Sequence, residues 1–327
     1  MTVILHQEQI KKVISLDKSL IPIIENAFVS LSEGKATTPP IMRLNIPEFH
    51  GEADVKTAYI KGLDSFAIKI ALGYFNNPSI GLPTSNGLMI LFDVKTGQLK
   101  AVLLDQGYLT DIRTAIAGAI ASKHLANLEI ENVGIIGVGM QAQLQLEALM
   151  IVRKPSTVNI WGRDKKKVEA YIETMKKKLK INFVISEKIK QVCEKSDILI
   201  TTTPSTEPLI KYDWLKKGIH ITAMGSDAEH KNELDPMIIK SCDLYIPDKQ
   251  SQTSILGELN HAINKGIINP NKKFVELGEI VKNPALGRKT KDDITVCDLT
   301  GTGVQDTAIA RYAYDLVRSK NLGMEIN

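Results

Sequence analysis

The residues best suited to chemistry form a glycine-rich turn near the middle of the chain, Gly137-Val-Gly139-Met140-Gln141-Ala142. A β-branched apolar run over residues 133–136 predicts a buried parallel strand before the turn, and the apolar spacing after it predicts a helix. In that setting the pattern is typical of a dinucleotide site, where a pyrophosphate approaches Gly139 and the helix N-terminus. We therefore predict that residues 137–141 bind a dinucleotide; the alternative is an ordinary strand-to-helix turn.

Two charged residues follow the second predicted strand, which covers residues 157–161. In dinucleotide-binding folds an acidic residue at this place, roughly 20 residues after the first glycine, binds the ribose of NAD, and a basic residue accommodates the 2′-phosphate of NADP. Arg163 suits a bidentate phosphate contact, while Asp164 also suits the N-cap of the next helix. The pair leans toward NADP(H); the alternative for Arg163 is a plain surface role.

Two further predicted strands end in polar turns. Thr202 and Thr203 follow the apolar residues 198–200, and Met224-Gly225-Ser226-Asp227 follows residues 219–223. Ligands bind at the carboxyl edge of such sheets, so we expect both turns to face the cofactor. An aspartate on a glycine turn beside a nicotinamide could exchange a proton with an amine nitrogen; the alternative for Asp227 is an Asx turn.

Three cations in the first third of the chain, Arg43, Lys69 and Arg113, lie on or beside apolar stretches. A single cation in such a place is usually a side chain whose head reaches solvent. Three that converge would bind a carboxylate, with arginine as the bidentate clamp. Their convergence is a hypothesis at this point.

The elements that must position these residues divide into two kinds. Before residue 110 the pattern predicts an α+β arrangement with an antiparallel sheet: a helix over residues 10–33, strands at 41–46, 56–60 and 65–72, a turn at 50–54, and a hairpin of 88–94 with 98–104. A helix should begin at Thr110 as its N-cap.

Beyond that helix, strands and helices alternate, which predicts a doubly wound parallel sheet of the Rossmann type. The amphipathic residues 303–319 predict a helix that returns to the first domain. The predicted fold class is α/β. Residues 120–303 should form the dinucleotide-binding domain, and residues 1–119 with 304–327 a domain for substrate binding and dimerisation.

Composition narrows the class of protein. The 327 residues carry a formal net charge of +4, and the lysine clusters lack the interleaved aromatic residues of a nucleic-acid surface. Three scattered cysteines favour a reducing compartment and argue against disulfides or a zinc site. Since no signal peptide or membrane-length apolar run is evident, we expect a cytoplasmic protein with no metal and no nucleic-acid or membrane partner.

Taken together, the chain resembles the ornithine cyclodeaminase/μ-crystallin family along nearly its whole length. The resemblance rests on Arg43, Lys69, residues 77–84, the block Leu109-Thr-Asp-Ile-Arg113-Thr114, the glycine turn, residues 201–205, Gly225-Ser226-Asp227 and residues 298–306. Within the family, the blocks near residues 50 and 223 are most similar to the ectoine-utilisation and iminosuccinate reductase branches. The threonine turn and the C-terminal block are similar to archaeal alanine dehydrogenases.

The resemblance implies a homodimer formed through the first domain and a small amino or imino acid as substrate. It assigns the substrate carboxylate and catalysis to Arg43, Lys69 and Arg113, and proton transfer to Asp227. Among cofactor-binding residues it adds those in the matching blocks, namely Thr84, Thr114, Thr300 and Gly301. The cofactor is NAD(H) or NADP(H).

One departure bears on the reaction. Ornithine cyclodeaminases carry a glutamate about 13 residues before the substrate lysine, and that count leads here to Lys56; Glu52 and Asp54 lie nearby. A second basic residue, His230, follows Asp227 where cyclodeaminases have Pro-Gly. We expect a reductase of a small imino acid, with Lys56 and His230 binding a second carboxylate as in iminosuccinate. The alternatives are ornithine cyclodeamination and an NADP(H)-dependent binding protein without catalysis.

Overall fold

The computed structural model describes residues 1–326, which fold into two compact units. The first comprises residues 1–113 together with the chain from Thr302 onward, and the second comprises Thr114–Gly301. The last residue of the predicted segment 304–327 lies outside the described residues. The helix that spans Tyr108–Leu125 contains the junction at residue 113, because Arg113 belongs to the first unit and Thr114 to the second.

The first unit combines a sheet with helices. Its elements are β1 (Thr2–His6), α1 (Gln7–Lys11), α2 (Leu20–Ser32), β2 (Ala36–Thr37), β3 (Met42–Ile46), β4 (Gly51–Ile60), β5 (Ser65–Tyr74), β6 (Ser85–Asp93), β7 (Leu99–Leu104), the start of α3 (Tyr108–Leu125), α11 (Gly303–Ser319) and β15 (Met324–Ile326). Short 3₁₀ turns cover Pro47–Phe49 and Asn77–Ile80.

The sheet of the first unit runs in the order β15-β1-β7-β6-β5-β4-β2, with β3 also paired to β4. Its strands pair antiparallel except β1 with β7. One face is covered by α2 and α11, and Ala58 of β4 packs there against Leu31 and Val304. The Thr307 hydroxyl on α11 donates to the Ala58 carbonyl at 2.8 Å and accepts from the Ala67 amide at 3.1 Å. These bonds fix α11 against β4 and β5.

Three local predictions for this unit were wrong. The predicted helix over residues 10–33 is two helices, because Asp17 accepts from the amide and hydroxyl of Ser19 and turns the chain before α2. The predicted turn at residues 50–54 is the start of β4. Helix α3 begins at Tyr108, not Thr110, because the Asp105 carboxylate accepts from the Leu109 amide at 2.7 Å.

The second unit alternates strands and helices as predicted. After α3 come β8 (Asn132–Ile136), α4 (Met140–Val152), β9 (Thr157–Trp161), α5 (Lys165–Lys178), β10 (Asn182–Ile185), α6 (Ile189–Lys195), β11 (Ile198–Thr201), β12 (His220–Ala223), α7 (Pro236–Ser241), β13 (Leu244–Pro247), α8 (Gln250–Thr253), α9 (Gly257–Asn264), α10 (Leu277–Lys282) and β14 (Thr295–Asp298). Short 3₁₀ turns cover Tyr212–Trp214 and Pro284–Leu286.

These strands form one parallel sheet in the order β10-β9-β8-β11-β12-β14-β13. Since the order reverses between β8 and β11, the topological switch point lies at the carboxyl ends of these two strands, where ligands bind in such sheets. Buried apolar side chains cluster around β8 and β9 with α4 and α5, and around β12 and β14 with α7 and α9. The predicted α/β fold class is confirmed.

Two features are absent from residues 1–326. No helix in that range is long and apolar enough to cross a membrane. Nor does that range contain a group of three or more His, Cys, Asp or Glu residues placed to hold a metal ion.

Candidate functional site

The glycine turn lies at the switch point of the second unit. Gly137 follows β8 with φ of 100°, and a Cβ there would lie 2.9 Å from the carbonyl oxygen of Thr202. Its amide donates to the Trp161 carbonyl at 3.0 Å. Only glycine satisfies both the left-handed backbone and this close approach, so Gly137 shapes the turn.

Gly139 differs, because among the described residues nothing beyond its own chain neighbours lies within 4 Å of the Cβ that another residue would add there. Its backbone is extended, and it forms the N-cap of α4 without a side-chain hydrogen bond. No side chain of the N-cap residue covers the start of α4, and Met140 at that start is 60% exposed. An open glycine at an uncapped helix start fits a pyrophosphate.

The polar side chains after β9 have different roles. One carboxylate oxygen of Asp164 accepts from the amides of Lys166 and Lys167 at 2.9 and 3.3 Å, so Asp164 is the N-cap of α5. Arg163 is exposed at the carboxyl end of β9. Since the Asp164 carboxylate caps α5, Arg163 is the residue at this edge that is suited to contact an adenosine ribose.

The turn after β12 carries Asp227. Its Oδ1 accepts from the Nζ of Lys231 at 2.7 Å, and its side chain is 42% exposed while that of Lys231 is 8% exposed. The Ser226 hydroxyl donates to the Lys231 carbonyl and closes the turn. His230 is exposed on the same loop. Lys231 orients the Asp227 carboxylate, a role that the sequence reasoning did not assign.

Four other predicted cofactor residues of the second unit form hydrogen bonds with neighbouring residues. The Thr202 amide donates to the Ile136 carbonyl at 3.0 Å, beside the glycine turn. Asp248 accepts from the Thr300 hydroxyl at 3.0 Å and the Gly301 amide at 2.8 Å. The Thr114 carbonyl accepts from Gln145 at 2.9 Å.

In the first unit three predicted cations lie near one another. Lys56 and Lys69 are Cα partners on β4 and β5, and both are buried. Asp306 on α11 lies between Lys69 and Arg113: its Oδ2 is 3.3 Å from the Lys69 Nζ and its Oδ1 is 2.9 Å from the Arg113 Nε. The structure therefore brings Lys56, Lys69 and Arg113 together around a buried carboxylate.

Burial governs the charge of Lys69. Loss of hydration, together with the nearby charges of Arg113 and Lys56, lowers the pKa of Lys69 to about 7 against the opposing effect of Asp306. An amine with this pKa is populated in both protonation states near neutral pH, which suits proton transfer. Asp306 belongs to the C-terminal block 298–306, and the sequence analysis assigned it no role. Its position at the start of a predicted amphipathic helix was the one feature that could have indicated it.

Arg43 lies on β3 and makes a bidentate pair with Asp54, its Cα partner on β4. The Nε–Oδ1 and Nη2–Oδ2 distances are both 2.6 Å. Asp54 therefore fixes the Arg43 side chain, which lies on the same face of the sheet as Lys56 and Lys69. Thr84, another predicted cofactor residue, accepts from the Tyr74 amide through its carbonyl at 2.8 Å.

Comparison with known proteins agrees with this geometry. The ornithine cyclodeaminase/mu-crystallin family model matches residues 1–321. An uncharacterised cyclodeaminase from Sinorhizobium fredii is 47% identical over 321 residues, which cover 98% of this chain and 97% of that protein.

Solved structures show the same fold throughout. Δ1-pyrroline-2-carboxylate reductase of Thermococcus litoralis, in complex with NADH and L-proline, has a TM-score of 0.93 at 29% identity and covers 99% of this chain and 100% of its own. An archaeal alanine dehydrogenase dimer with bound NAD has a TM-score of 0.90 at 33% identity, covering 100% and 99%.

The iminosuccinate reductase of Paracoccus denitrificans, in complex with NAD⁺, has a TM-score of 0.89 at 27% identity, covering 100% of this chain and 99% of its own. The expectation of an enzyme that acts on amino or imino acids with a nicotinamide cofactor agrees with these similarities. The match of the family model over nearly the whole chain is the decisive finding: the chain belongs to the ornithine cyclodeaminase/mu-crystallin family.

Proposed function

We propose that this protein reduces a small imino acid to an amino acid with NADH or NADPH. The observation that carries the proposal is the buried cluster of Lys56, Lys69 and Arg113 around Asp306, in which Lys69 has a pKa of about 7. Such a cluster attracts an anionic substrate and offers a proton near neutral pH. The open turn at Gly139, in the second unit, is the proposed binding site of the dinucleotide.

The nicotinamide, when bound, supplies a hydride to the imine carbon. The residues of the chain bind, orient and move protons. The uncapped amides of α4 hold the pyrophosphate. Arg113 meets Asp306 through Nε, and we assign its terminal nitrogens to the substrate carboxylate, with Arg43 beside it. In the first unit, Lys69 supplies the proton for the imine nitrogen. In the second unit, Asp227, oriented by Lys231, is the proposed proton-transferring carboxylate.

The finer part of the proposal is a dicarboxylic substrate such as iminosuccinate, reduced to aspartate. It is supported by the buried Lys56 beside Lys69, at the position where ornithine cyclodeaminases carry a glutamate. A cation there attracts a second carboxylate and repels the side-chain ammonium of ornithine. His230 is exposed on the Asp227 loop and serves as a second basic group in this proposal.

We also propose that two copies associate through the face of the first sheet opposite α2 and α11. This face carries apolar side chains that are only partly buried, including Phe66, Ile68, Ile70, Leu88 and Ile90. A contiguous, partly exposed apolar sheet face is typical of a subunit interface. The archaeal alanine dehydrogenase is a dimer, which supports the association of two copies.

The direct test measures absorbance of NADH and NADPH with purified protein, ammonium and a panel of 2-oxo acids that includes oxaloacetate and pyruvate. Net loss of reduced cofactor is the expected result, fastest with oxaloacetate. The similarity to the Sinorhizobium fredii protein makes cyclodeamination the second candidate. Ammonia released from ornithine with only catalytic NAD, and no net change in cofactor, would replace the reductase by that reaction. Cofactor binding without either reaction would favour a binding protein.

A further inference from the structure

A buried carboxylate at the carboxyl edge of the second sheet contacts two of the turns described above. Glu233 is fully buried. Its Oε1 accepts from the amide and hydroxyl of Thr203 at 2.6 and 2.7 Å, and its Oε2 accepts from the Thr201 hydroxyl at 2.6 Å and the Gly225 amide at 2.9 Å. One side chain therefore joins the end of β11 to the turn that begins the Asp227 loop.

We propose that Glu233 is a positioning residue of the dinucleotide site, which holds the turn at residues 201–203 and the turn at residues 225–227 in one arrangement. Thr202, between two residues bound by Glu233, lies against Gly137, so a shift of the first turn would change the shape of the glycine turn. Asp227 lies two residues beyond the bound Gly225 amide. The inference rests on the proposed function only for the binding of a nicotinamide cofactor.

The four donors explain why an ionised carboxylate is required. A carboxylate accepts through both oxygens, whereas an amide has one acceptor and presents N–H groups on its other side. In Glu233→Gln, the side-chain NH2 group would face either the Thr203 amide or the Gly225 amide, and both of these amides are donors. The fit is also tight, because a Cβ at Gly225 would lie 2.5 Å from the Glu233 Oε2.

A second carboxylate holds Glu233 in place. Glu258, on α9, accepts from the Glu233 amide at 2.9 Å, from the Leu234 amide at 3.1 Å and from the Asn232 side chain at 2.6 Å. The Glu258 amide in turn donates to Asp298 at 2.9 Å. Burial raises the pKa of Glu233 although its four donors oppose the rise. These contacts extend from the end of β14 to the two turns.

The experiment compares Glu233→Gln with Asp197→Asn, which alters a carboxylate at the opposite edge of the same sheet. Asp197 accepts from the amides of Glu131 and Asn132, both at 2.8 Å, where β8 begins. Both variants should lower Tm. We expect only Glu233→Gln to raise the Kd for NADH, measured by fluorescence titration without turnover, by about tenfold or more.

Equal Kd values for Glu233→Gln and Asp197→Asn would overturn the inference while leaving the proposed function intact. If the wild type binds neither NADH nor NADPH, both proposals fall. Should Glu233→Gln not fold, Thr201→Val serves in its place, since it removes one donor to Glu233 at a fully buried position. The Kd for NADH should then rise about threefold, and no rise would contradict the role of Glu233.

Discussion

Lys56 and Lys69 are direct Cα partners across the antiparallel pair of β4 and β5, and the two residues are 6% and 2% exposed. Like charges opposite one another in a sheet are destabilising, and burial adds to that cost. Asp306 supplies the nearby negative charge, 3.3 Å from the Lys69 Nζ. A buried arrangement that is costly for stability is typical of a site arranged for anion binding and proton transfer.

The pH dependence of the reductase should follow Lys69. Its protonated form predominates below its pKa of about 7, so kcat/KM for imine reduction should fall as the pH rises through that value. Lys56→Gln removes a like charge, which favours protonated Lys69 and should move the falling limb to higher pH. The measurement is kcat/KM from pH 5.5 to 9.5. A midpoint that stays in place or moves to lower pH would contradict this role for Lys69.

Asp306→Asn should shift the falling limb of the kcat/KM profile to lower pH, because it removes the charge that stabilises the Lys69 ammonium. It also leaves Lys69 and Arg113 buried without their carboxylate, which should lower the free energy of unfolding by roughly 3–5 kcal/mol. Urea titration checks the stability. Glu8→Gln, which changes an exposed carboxylate in the same unit, is the control and should change neither quantity.

Substrate selectivity should depend on Lys56 and His230. Lys56→Ala and His230→Ala should each raise KM for the dicarboxylic substrate, by about tenfold for the buried Lys56, and leave KM for the pyruvate-derived imine unchanged. Steady-state kinetics with oxaloacetate or pyruvate plus ammonium tests this. Lys61→Ala, at an exposed position just after β4, is the matched control. An unchanged KM for the dicarboxylate would remove the support for iminosuccinate.

Cofactor choice should depend on Arg163. Arg163→Ala should raise the Kd for NADPH about tenfold and leave that for NADH nearly unchanged, since the guanidinium would contact only the 2′-phosphate. Fluorescence titration with both cofactors gives the ratio. Lys176→Ala, in the last turn of α5, controls for the general loss of one positive charge. Equal effects on NADH and NADPH would show that Arg163 does not select the cofactor.

Alanine at the two turn glycines should separate binding from folding. The methyl group of Gly139→Ala would meet nothing within 4 Å among the described residues beyond its chain neighbours, and φ there is an ordinary −81°. Tm should therefore stay within about a degree while the Kd for dinucleotide rises. Gly137→Ala places its methyl group 2.9 Å from Thr202 at φ of 100°, and should lower Tm. Unchanged dinucleotide affinity in Gly139→Ala would mean that the pyrophosphate does not lie at this turn.

The sequence was sufficient for the alternating elements of the second unit, because short apolar runs and glycine turns are local signals. It also identified Asp164 as a plausible cap, which the structure confirms. Glu233 was missed because its four donors come from the end of β11, the turn after it and the turn after β12, and no spacing along the chain encodes that meeting.

In the first unit, too, contacts between residues that are distant in the sequence could not be predicted. Arg43 and Lys69 could be singled out as cations near apolar residues, but the pairing of Lys56 with Lys69 depends on the register of β4 against β5. The register follows from how the two strands bury their side chains. The start of β4 itself was predicted five residues too late, because residues 50–54 were interpreted as a turn. Asp306 reaches the cluster from a helix more than 190 residues after Arg113.

The first unit is discontinuous, and its closing segment begins at Thr302. On the ribosome, residues 114–301 are therefore complete before Asp306 has been synthesised, and the Rossmann unit can fold as a continuous piece. Lys69 and Arg113 acquire their shared counter-ion only when α11 emerges, and β15 then pairs with β1 to join the two ends of the chain. The cluster proposed to protonate the imine is thus the last to be assembled, and a prematurely terminated chain could bind dinucleotide but not reduce an imine.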